Sequence, residues 1–258
     1  MRLSVVIVGR GGPEEIEACR SAVTRQAVDQ VIVVSGDAAL PELRRQGLVE
    51  ADGDVVAFLE ARAIPARDWA QRLRAAHGDG PETIGGVLQP RPRATTFELG
   101  AYFSDHVFAG APASPARRVS DANVSYKRSY LERLADRFDG SWETGLHEEA
   151  ARRGELAVAD ARAEFSYAGI SAWELLRERF EHGRAYGAAS RPRAWRVLAA
   201  PAAPIVLTLR GWTAARRAHL GEGFLRALPW TCALNGAWGF GESVGAILGT
   251  QPAHAHRD

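Results

Sequence analysis

Three short runs of apolar residues near the N-terminus constrain the fold more than any other feature of the sequence. They span residues 3–8, 30–34 and 55–59, are rich in valine and isoleucine, and do not alternate with polar residues. Unbroken apolar runs of this length indicate strands that are covered on both faces, as in a parallel sheet. A helical pattern follows each run, and strands joined through helices form right-handed crossovers. The sequence therefore predicts an α/β fold, with a doubly wound, mostly parallel sheet and helices on both faces.

Glycine, polar and charged residues end each of these runs. They are Gly9 and Arg10 after the first run, Ser35 and Asp37 after the second, and Glu60 and Arg62 after the third. Ligands of open α/β sheets bind beyond the carboxyl ends of the strands. We therefore expect the three loops to face one binding cleft.

Charge and cysteine content exclude several classes of protein. A net charge of +1 gives no reason to expect binding to nucleic acid. The two cysteines, Cys19 and Cys232, are far apart and form no zinc-binding pair, which fits a reducing compartment. The first apolar run is too short for a secretory signal and ends in glycines. These features favour a cytoplasmic protein.

The composition changes near Arg191, which predicts a boundary there. We expect a main domain over residues 1–190, a C-terminal segment of amphipathic helices over 191–250, and a disordered tail over 251–258. The uncharged run 227–241 is shorter than the ~20 residues that cross a bilayer. Two interpretations of the segment stay open. Its helices pack on the main domain, or they lie in a membrane interface beside arginines.

Five short motifs follow one another along the chain. They are Ser4–Gly12, Val31–Asp37, Gly53–Glu60, Asp121–Leu131 and the pair Trp142–Glu143. In order and spacing they resemble the motifs of the inverting glycosyltransferases of family 2, which have the GT-A fold. The C-terminal segment is also similar to the tail of bacterial members that work at membranes. The resemblance implies transfer of a sugar, such as a hexose, from a nucleoside-diphosphate sugar to the hydroxyl of a sugar, lipid or small molecule. It also implies a peripheral location at the inner membrane face.

The resemblance further implies roles for individual residues. Glu143, at the start of a predicted helix, is the expected catalytic base, a role that contributes ~10²–10⁴ in rate. The expected donor-binding residues are Gly9, Arg10, Ser35, Asp37, Glu60 and Arg62. The expected acceptor-binding residues are Asn123, Trp142 and His147, and His147 is also an alternative base.

The residues at the expected metal site differ from the family pattern. In the family, two carboxylates after the third strand hold Mg²⁺ or Mn²⁺ against the diphosphate, and here the two positions are Glu60 and Arg62. Glu60 could still ligate a metal ion, but Arg62 repels it and can bind phosphate oxygens in a bidentate way. We therefore expect Arg62 to replace part of the metal's charge. The same changes leave a second interpretation open, a non-catalytic relative that serves as a binding or assembly protein.

Overall fold

The structure of the protein, a computed structural model, describes residues 1–9, 12–78, 80–134, 142–189 and 202–248. Three sequence predictions concern residues outside these ranges. They are the role of Arg10, the start of the C-terminal segment up to residue 201, and the tail 251–258.

Within the described ranges the chain forms seven strands and nine α-helices. The strands are β1 (Leu3–Gly9), β2 (Gln30–Ser35), β3 (Val55–Glu60), β4 (Ala63–Pro65), β5 (Thr83–Pro90), β6 (Asn123–Lys127) and β7 (Leu156–Phe165). The helices are α1 (Pro13–Thr24), α2 (Leu40–Glu50), α3 (Trp69–His77), α4 (Thr96–Asp105), α5 (Arg128–Leu134), α6 (Trp142–Arg153), α7 (Ala172–Ala189), α8 (Ala203–Arg217) and α9 (Gly221–Leu248). Among the described helices, none has both the length and the apolar character of a membrane span.

The seven strands form one sheet in the order β2-β1-β3-β6-β5-β7-β4. β1 pairs in parallel with β2 and β3, and β5 pairs in parallel with β7. β6 runs antiparallel to both of its neighbours, and β4 runs antiparallel to β7. The predicted α/β class is confirmed, with a mixed sheet in place of a mostly parallel one. β6 is antiparallel to β5 because the chain returns to the sheet next to the end of β5 and does not first cross back to the side where β5 begins.

The buried centre of the sheet is formed by β1 and β3. Every residue of β1 and the first five residues of β3 are buried, as their unbroken apolar sequences predict. β2 lies at the edge of the sheet, where Val33 is 40% exposed. Phe58 of β3 and Tyr126 of β6 pack edge to face with their ring centroids 6.0 Å apart. This aromatic contact adds to the stabilisation from burial.

The chain divides into two compact units. The first comprises Met1–Pro92 and Phe108–Ser166 and contains the sheet. The second comprises Arg93–Val107 and Tyr167–Asp258 and contains α4, α7, α8 and α9. This division differs from the predicted boundary near residue 190, because α4 and α7 pack on α9.

In the second unit, α7 and α9 approach each other through glycines. Gly183 and Gly187 of α7 face the backbone of α9, and Gly241 and Gly245 of α9 face the backbone of α7. A Cβ atom at Gly183 would lie 2.0 Å from the carbonyl oxygen of Trp238, so no side chain fits there. Small residues on both helices let the two backbones lie in direct contact.

Candidate functional site

The carboxyl ends of the three N-terminal strands lie side by side. In the register of the sheet, Gly9 is opposite Ser35 and Val8 is opposite Glu60. Asp37 follows in the exposed turn after β2. The backbone amide of Glu60 donates to the carbonyl oxygen of Ala122, which precedes β6, at 3.1 Å. The predicted convergence of the three strand ends at one edge of the sheet is therefore confirmed.

A buried arginine that the motifs do not include lies at the centre of this edge. Nη2 of Arg44 is 3.0 Å from Oε1 of Glu60, and Nη1 is 3.0 Å from Oε1 of Glu143. Nη2 also donates to the backbone oxygen of Asp121 at 3.3 Å. Arg44 is only 2% exposed, and a buried charge of this kind is costly unless it is paired. We refer to Arg44, Glu60, Asp121 and Glu143 as the Arg44 cluster.

Helix α2 places Arg44 against the sheet. Gly47, three residues further along the helix, lies so close to β1 that a Cβ atom there would come within 2.2 Å of Cγ1 of Val6. Leu43, next to Arg44, is also buried. The face of α2 that packs on the sheet therefore carries the arginine inward with it.

Burial and charge act in opposite directions within the cluster. Burial raises the pKa of Glu143, the charge of Arg44 opposes this, and the net direction is upward. For Arg44, burial disfavours the charged form, but Asp121, Glu60 and Glu143 outweigh it and the pKa of the guanidinium is raised. Arg44 therefore stays charged, and Glu143 is the member of the pair that burial drives toward protonation.

His147 lies beside the cluster, one turn after Glu143 on α6. Its Nε2 is 2.6 Å from the hydroxyl oxygen of Tyr126, and its Nδ1 is 3.4 Å from Oδ1 of Asp121. Burial lowers the pKa of His147 against the effect of Asp121, and burial raises the pKa of Tyr126. In the neutral tautomer that carries its hydrogen on Nδ1, this N–H is directed at Asp121 and Nε2 accepts a hydrogen bond from the Tyr126 hydroxyl. His147 is thus a neutral, oriented imidazole at the edge of the cluster.

Asn123 occupies a different environment from the one that was expected. Its side chain is completely buried, and its Oδ1 accepts from Nε1 of Trp69 at 3.0 Å. Its Nδ2 donates to the carbonyl oxygen of Ala161 at 3.0 Å. These bonds hold the amide in the packing of the first unit. The acceptor contact expected of Asn123 stays a prediction.

Arg62 also has a partner that the sequence did not indicate. Its Nε lies 3.4 Å from Oε2 of Glu15 on α1, and both side chains are about a quarter to a third exposed (26% and 30%). The guanidinium that pairs with Glu60 is that of Arg44, and the expectation that Arg62 replaces part of the metal's charge stays a prediction. Trp142 begins α6, and its side chain lies outside the described part of the chain.

The residues at this edge do not fit the divalent ion that the resemblance implies. Glu60 is bonded to a buried guanidinium, and the second ligand position is Arg62. Across the residues that the structure describes, no group of three or more histidine, cysteine, aspartate or glutamate side chains is arranged to hold a metal ion. Hard divalent ions prefer several carboxylate and carbonyl oxygens, and a nearby guanidinium opposes their binding.

Sequence reasoning missed Arg44, although one signal was available. One apolar stripe along α2 comprises Leu40, Leu43, Gly47 and Leu48, and Arg44 falls within its helical spacing. A charged residue inside the stripe that faces the core must find a buried partner.

Comparisons with known proteins give only distant likenesses. No protein-family model matches the sequence, and no curated protein matches it significantly. Among solved structures, the chain is similar to glucosyl-3-phosphoglycerate synthase of Mycobacterium tuberculosis, in a complex with Mn²⁺, UDP-glucose and phosphoglyceric acid. The identity is 16%, with 66% of this chain and 73% of that chain covered, at a TM-score of 0.43.

Two further solved structures cover more of the chain. A mannosyltransferase from Pyrobaculum calidifontis, in complex with GDP-Man and Mn²⁺, is 16% identical and covers 89% of this chain and 86% of its own, at a TM-score of 0.44. TarS from S. aureus is 9% identical and covers 92% of this chain and 91% of its own, at a TM-score of 0.47. With TM-scores below 0.5, these likenesses support no assignment of residues or activity.

Proposed function

We propose that the protein transfers a sugar from a nucleoside-diphosphate sugar to an acceptor hydroxyl, with inversion at the sugar carbon. The observation that carries the proposal is the placement of Glu143, buried at the start of α6 and bonded to Arg44 beside Glu60. The family-like order of the sequence motifs supports the same activity. In this proposal Glu143 removes the proton of the acceptor hydroxyl as that oxygen attacks the sugar carbon. The bond from that carbon to the diphosphate oxygen breaks, and the nucleoside diphosphate leaves.

The environment of Glu143 suits a general base. Burial raises the pKa of Glu143 above its ordinary value, which makes the carboxylate a stronger base. The Arg44 guanidinium opposes this rise and keeps the carboxylate form accessible. His147, neutral and oriented by Tyr126 and Asp121, is proposed as the acceptor contact and as the alternative base.

The donor is proposed to bind across the strand ends. Gly9, Ser35 and Asp37 line that edge and offer backbone and side-chain groups to a base and ribose. Arg10 and Arg62 are proposed to contact the diphosphate. Since the carboxylate and arginine positions do not fit Mg²⁺ or Mn²⁺, we propose that transfer does not depend on either ion.

Replacement of Glu143 tests the activity. Glu143→Gln keeps the shape and a hydrogen bond to Arg44 but cannot take a proton, so transfer or hydrolysis of the nucleotide sugar should fall by ~10²–10⁴. The matched control is Glu148→Gln, an exposed glutamate on the same helix, which should keep wild-type activity. Full activity in Glu143→Gln would rule Glu143 out as the base. Retention of activity with a chelator present tests the independence from metal ions.

A second candidate function is a non-catalytic binding or assembly protein. The bonding of both Glu60 and Glu143 to one buried arginine favours it, because such a network can serve stability alone. Thermal-shift measurements with nucleoside diphosphates separate the two candidates. A protein that is stabilised by none of them and hydrolyses no nucleotide sugar would be of the second kind.

A peripheral location at the inner face of a membrane is proposed from the surface of α8. Ile205, Val206 and Leu209 are 64%, 41% and 59% exposed. Arg210, Arg216 and Arg217 continue the same exposed stripe toward the end of the helix. An exposed apolar patch followed by arginines suits insertion between lipids and contact with anionic headgroups.

Vesicle binding tests this location. Binding to vesicles of phosphatidylglycerol should exceed binding to phosphatidylcholine and should weaken with salt. Arg216→Gln together with Arg217→Gln should lower it by roughly thirty-fold, since each arginine near an anionic surface contributes about 1 kcal/mol. Equal binding to both vesicle types would contradict the proposal.

A further inference from the structure

One guanidinium serves carboxylate-bearing residues from three separate parts of the first unit. Arg44 of α2 contacts Glu60 at the end of β3, Asp121 in the turn before β6, and Glu143 at the start of α6. Its side chain is 3% exposed, against 2% for Glu143 and 20% for Glu60. The positive charge is therefore fixed within the protein and is shielded from solvent.

The geometry places the guanidinium where a bridging metal ion would have to sit. Its two terminal nitrogens each lie 3.0 Å from one oxygen, of Glu60 and of Glu143. Because both nitrogens belong to one small planar group, the two oxygens are held close to each other. A divalent ion that joined them would take the same space, at oxygen distances of about 2.0–2.6 Å.

We propose that Arg44 is the resident cation of this site, which positions Glu60 and Glu143 and excludes a divalent ion from them. Removal of its charge should turn the cluster into a Mn²⁺ site that uses Glu60. The proposal deepens the proposed function and rests on it for the catalytic consequence, because it names the positive charge that takes the place of a metal.

The charges of the cluster support this role. The carboxylates of Glu60 and Glu143 bind the guanidinium directly, and the charges of these two acids and of Asp121 raise its pKa. Loss of the arginine's charge leaves these acids with less positive charge nearby. Acids in that state take up protons or a cation more readily, and carboxylate oxygens suit Mn²⁺.

Titration with Mn²⁺ tests the proposal on four proteins: wild type, Arg44→Gln, Glu60→Gln and the double variant. Isothermal calorimetry and the shift in melting temperature are the two readouts. Wild type should show no saturable binding up to about 1 mM, the weak end of protein sites for hard cations. Arg44→Gln should bind tighter than wild type by a factor of about ten or more, because the repelling unit charge at bonding distance is gone. The double variant should lose this binding.

Two results would overturn the proposal. One is Mn²⁺ binding to wild type that Glu60→Gln abolishes, since the arginine would then not exclude the ion. The other is absence of binding in a folded Arg44→Gln. Arg20→Gln, which removes an exposed arginine of α1, is the control for a general loss of positive charge and should behave as wild type.

If Arg44→Gln alone does not fold, Arg44→Gln with Glu143→Gln removes both charges of the most buried pair and leaves Glu60 and Asp121. That protein should bind Mn²⁺ through Glu60, and failure to do so counts against the proposal in the same way. The readout does not involve sugar transfer. Inactivity of wild type toward every nucleotide sugar would therefore contradict the proposed function and leave the Mn²⁺ result unaffected.

Discussion

Each of the two units contains a largely buried arginine paired with a carboxylate, and the two pairs differ in the direction of the carboxylate pKa. In the first unit, burial raises the pKa of Glu143 more than Arg44 can lower it. In the second unit, burial raises the pKa of Asp105. Arg179, His106 and the Tyr167 hydroxyl lower it by more, so the net direction is downward. The hydroxyl of Tyr167 donates to Oδ2 of Asp105 at 2.8 Å.

The difference lies in how many acids share each guanidinium. Arg44 is shared by Glu60, Asp121 and Glu143, and the charge of Asp121 adds to the rise in the pKa of Glu143. The carboxylate of Asp105 is instead stabilised by several groups, which are the charges of Arg179 and His106 and the hydroxyl of Tyr167. An acid that has an arginine to itself keeps its charge and stabilises the fold, whereas an acid that shares its arginine has a raised pKa, as is typical of functional sites.

The largest effect is expected from removal of each arginine. Arg44→Met removes the positive charge that pairs with two largely buried carboxylates, and it should lower the free energy of unfolding by about 3–5 kcal/mol. Arg179→Met removes the charge that pairs with one such carboxylate and should cost less. Urea unfolding of the two variants measures the difference. The control Arg20→Met should stay within about 0.5 kcal/mol of wild type. A smaller loss for Arg44→Met than for Arg179→Met would contradict the shared-arginine interpretation.

Removal of the carboxylates should reverse the order, with the larger loss in the free energy of unfolding in the second unit. Asp105→Asn leaves Arg179 without the carboxylate it pairs with and should cost about 3 kcal/mol or more. Glu143→Gln should cost only about 1 kcal/mol, since Arg44 keeps its bond to Glu60 and the glutamine can still accept a hydrogen bond. Equal losses in unfolding free energy would show that the two pairs are equivalent.

The smallest expected effect is on the pH dependence of stability, where the two acids act in opposite directions. Glu143 binds its proton more tightly when folded, so its contribution is complete below its ordinary pKa of 4.5 and is lost as the pH rises through the folded value. Asp105 binds its proton less tightly when folded, so its contribution is present above its ordinary pKa of 3.8 and is lost as the pH falls through the folded value.

Unfolding free energies measured over a pH series separate the two contributions. Glu143→Gln should remove the decline in the free energy of unfolding that sets in above about pH 4.5. Asp105→Asn should flatten the decline in the free energy of unfolding below about pH 3.8. Identical pH profiles for wild type and Glu143→Gln would mean that the pKa of Glu143 is the same in the folded and unfolded chain.

Much of the frame of the site could be predicted from the sequence. The unbroken apolar runs identified β1, β2 and β3, and their ends were expected to meet at one edge, as they do for Gly9, Ser35 and Glu60. Strand identity follows from local hydrophobic patterns, and the convergence of strand ends follows from the parallel arrangement that those patterns favour. The roles assigned to Glu143 and to the donor-binding residues stay predictions.

Other features of the site were decided by the tertiary structure. The partners of Arg44 are 16, 77 and 99 positions away along the chain, so no local pattern could pair them. The side chain of Asn123 is enclosed by Trp69 and the backbone of β7, which are 54 and 38 positions away along the chain. Local sequence fixes which residues face the core, because burial of apolar area has a period along the chain. Which charges become neighbours is settled only when packing excludes water from several distant segments at once.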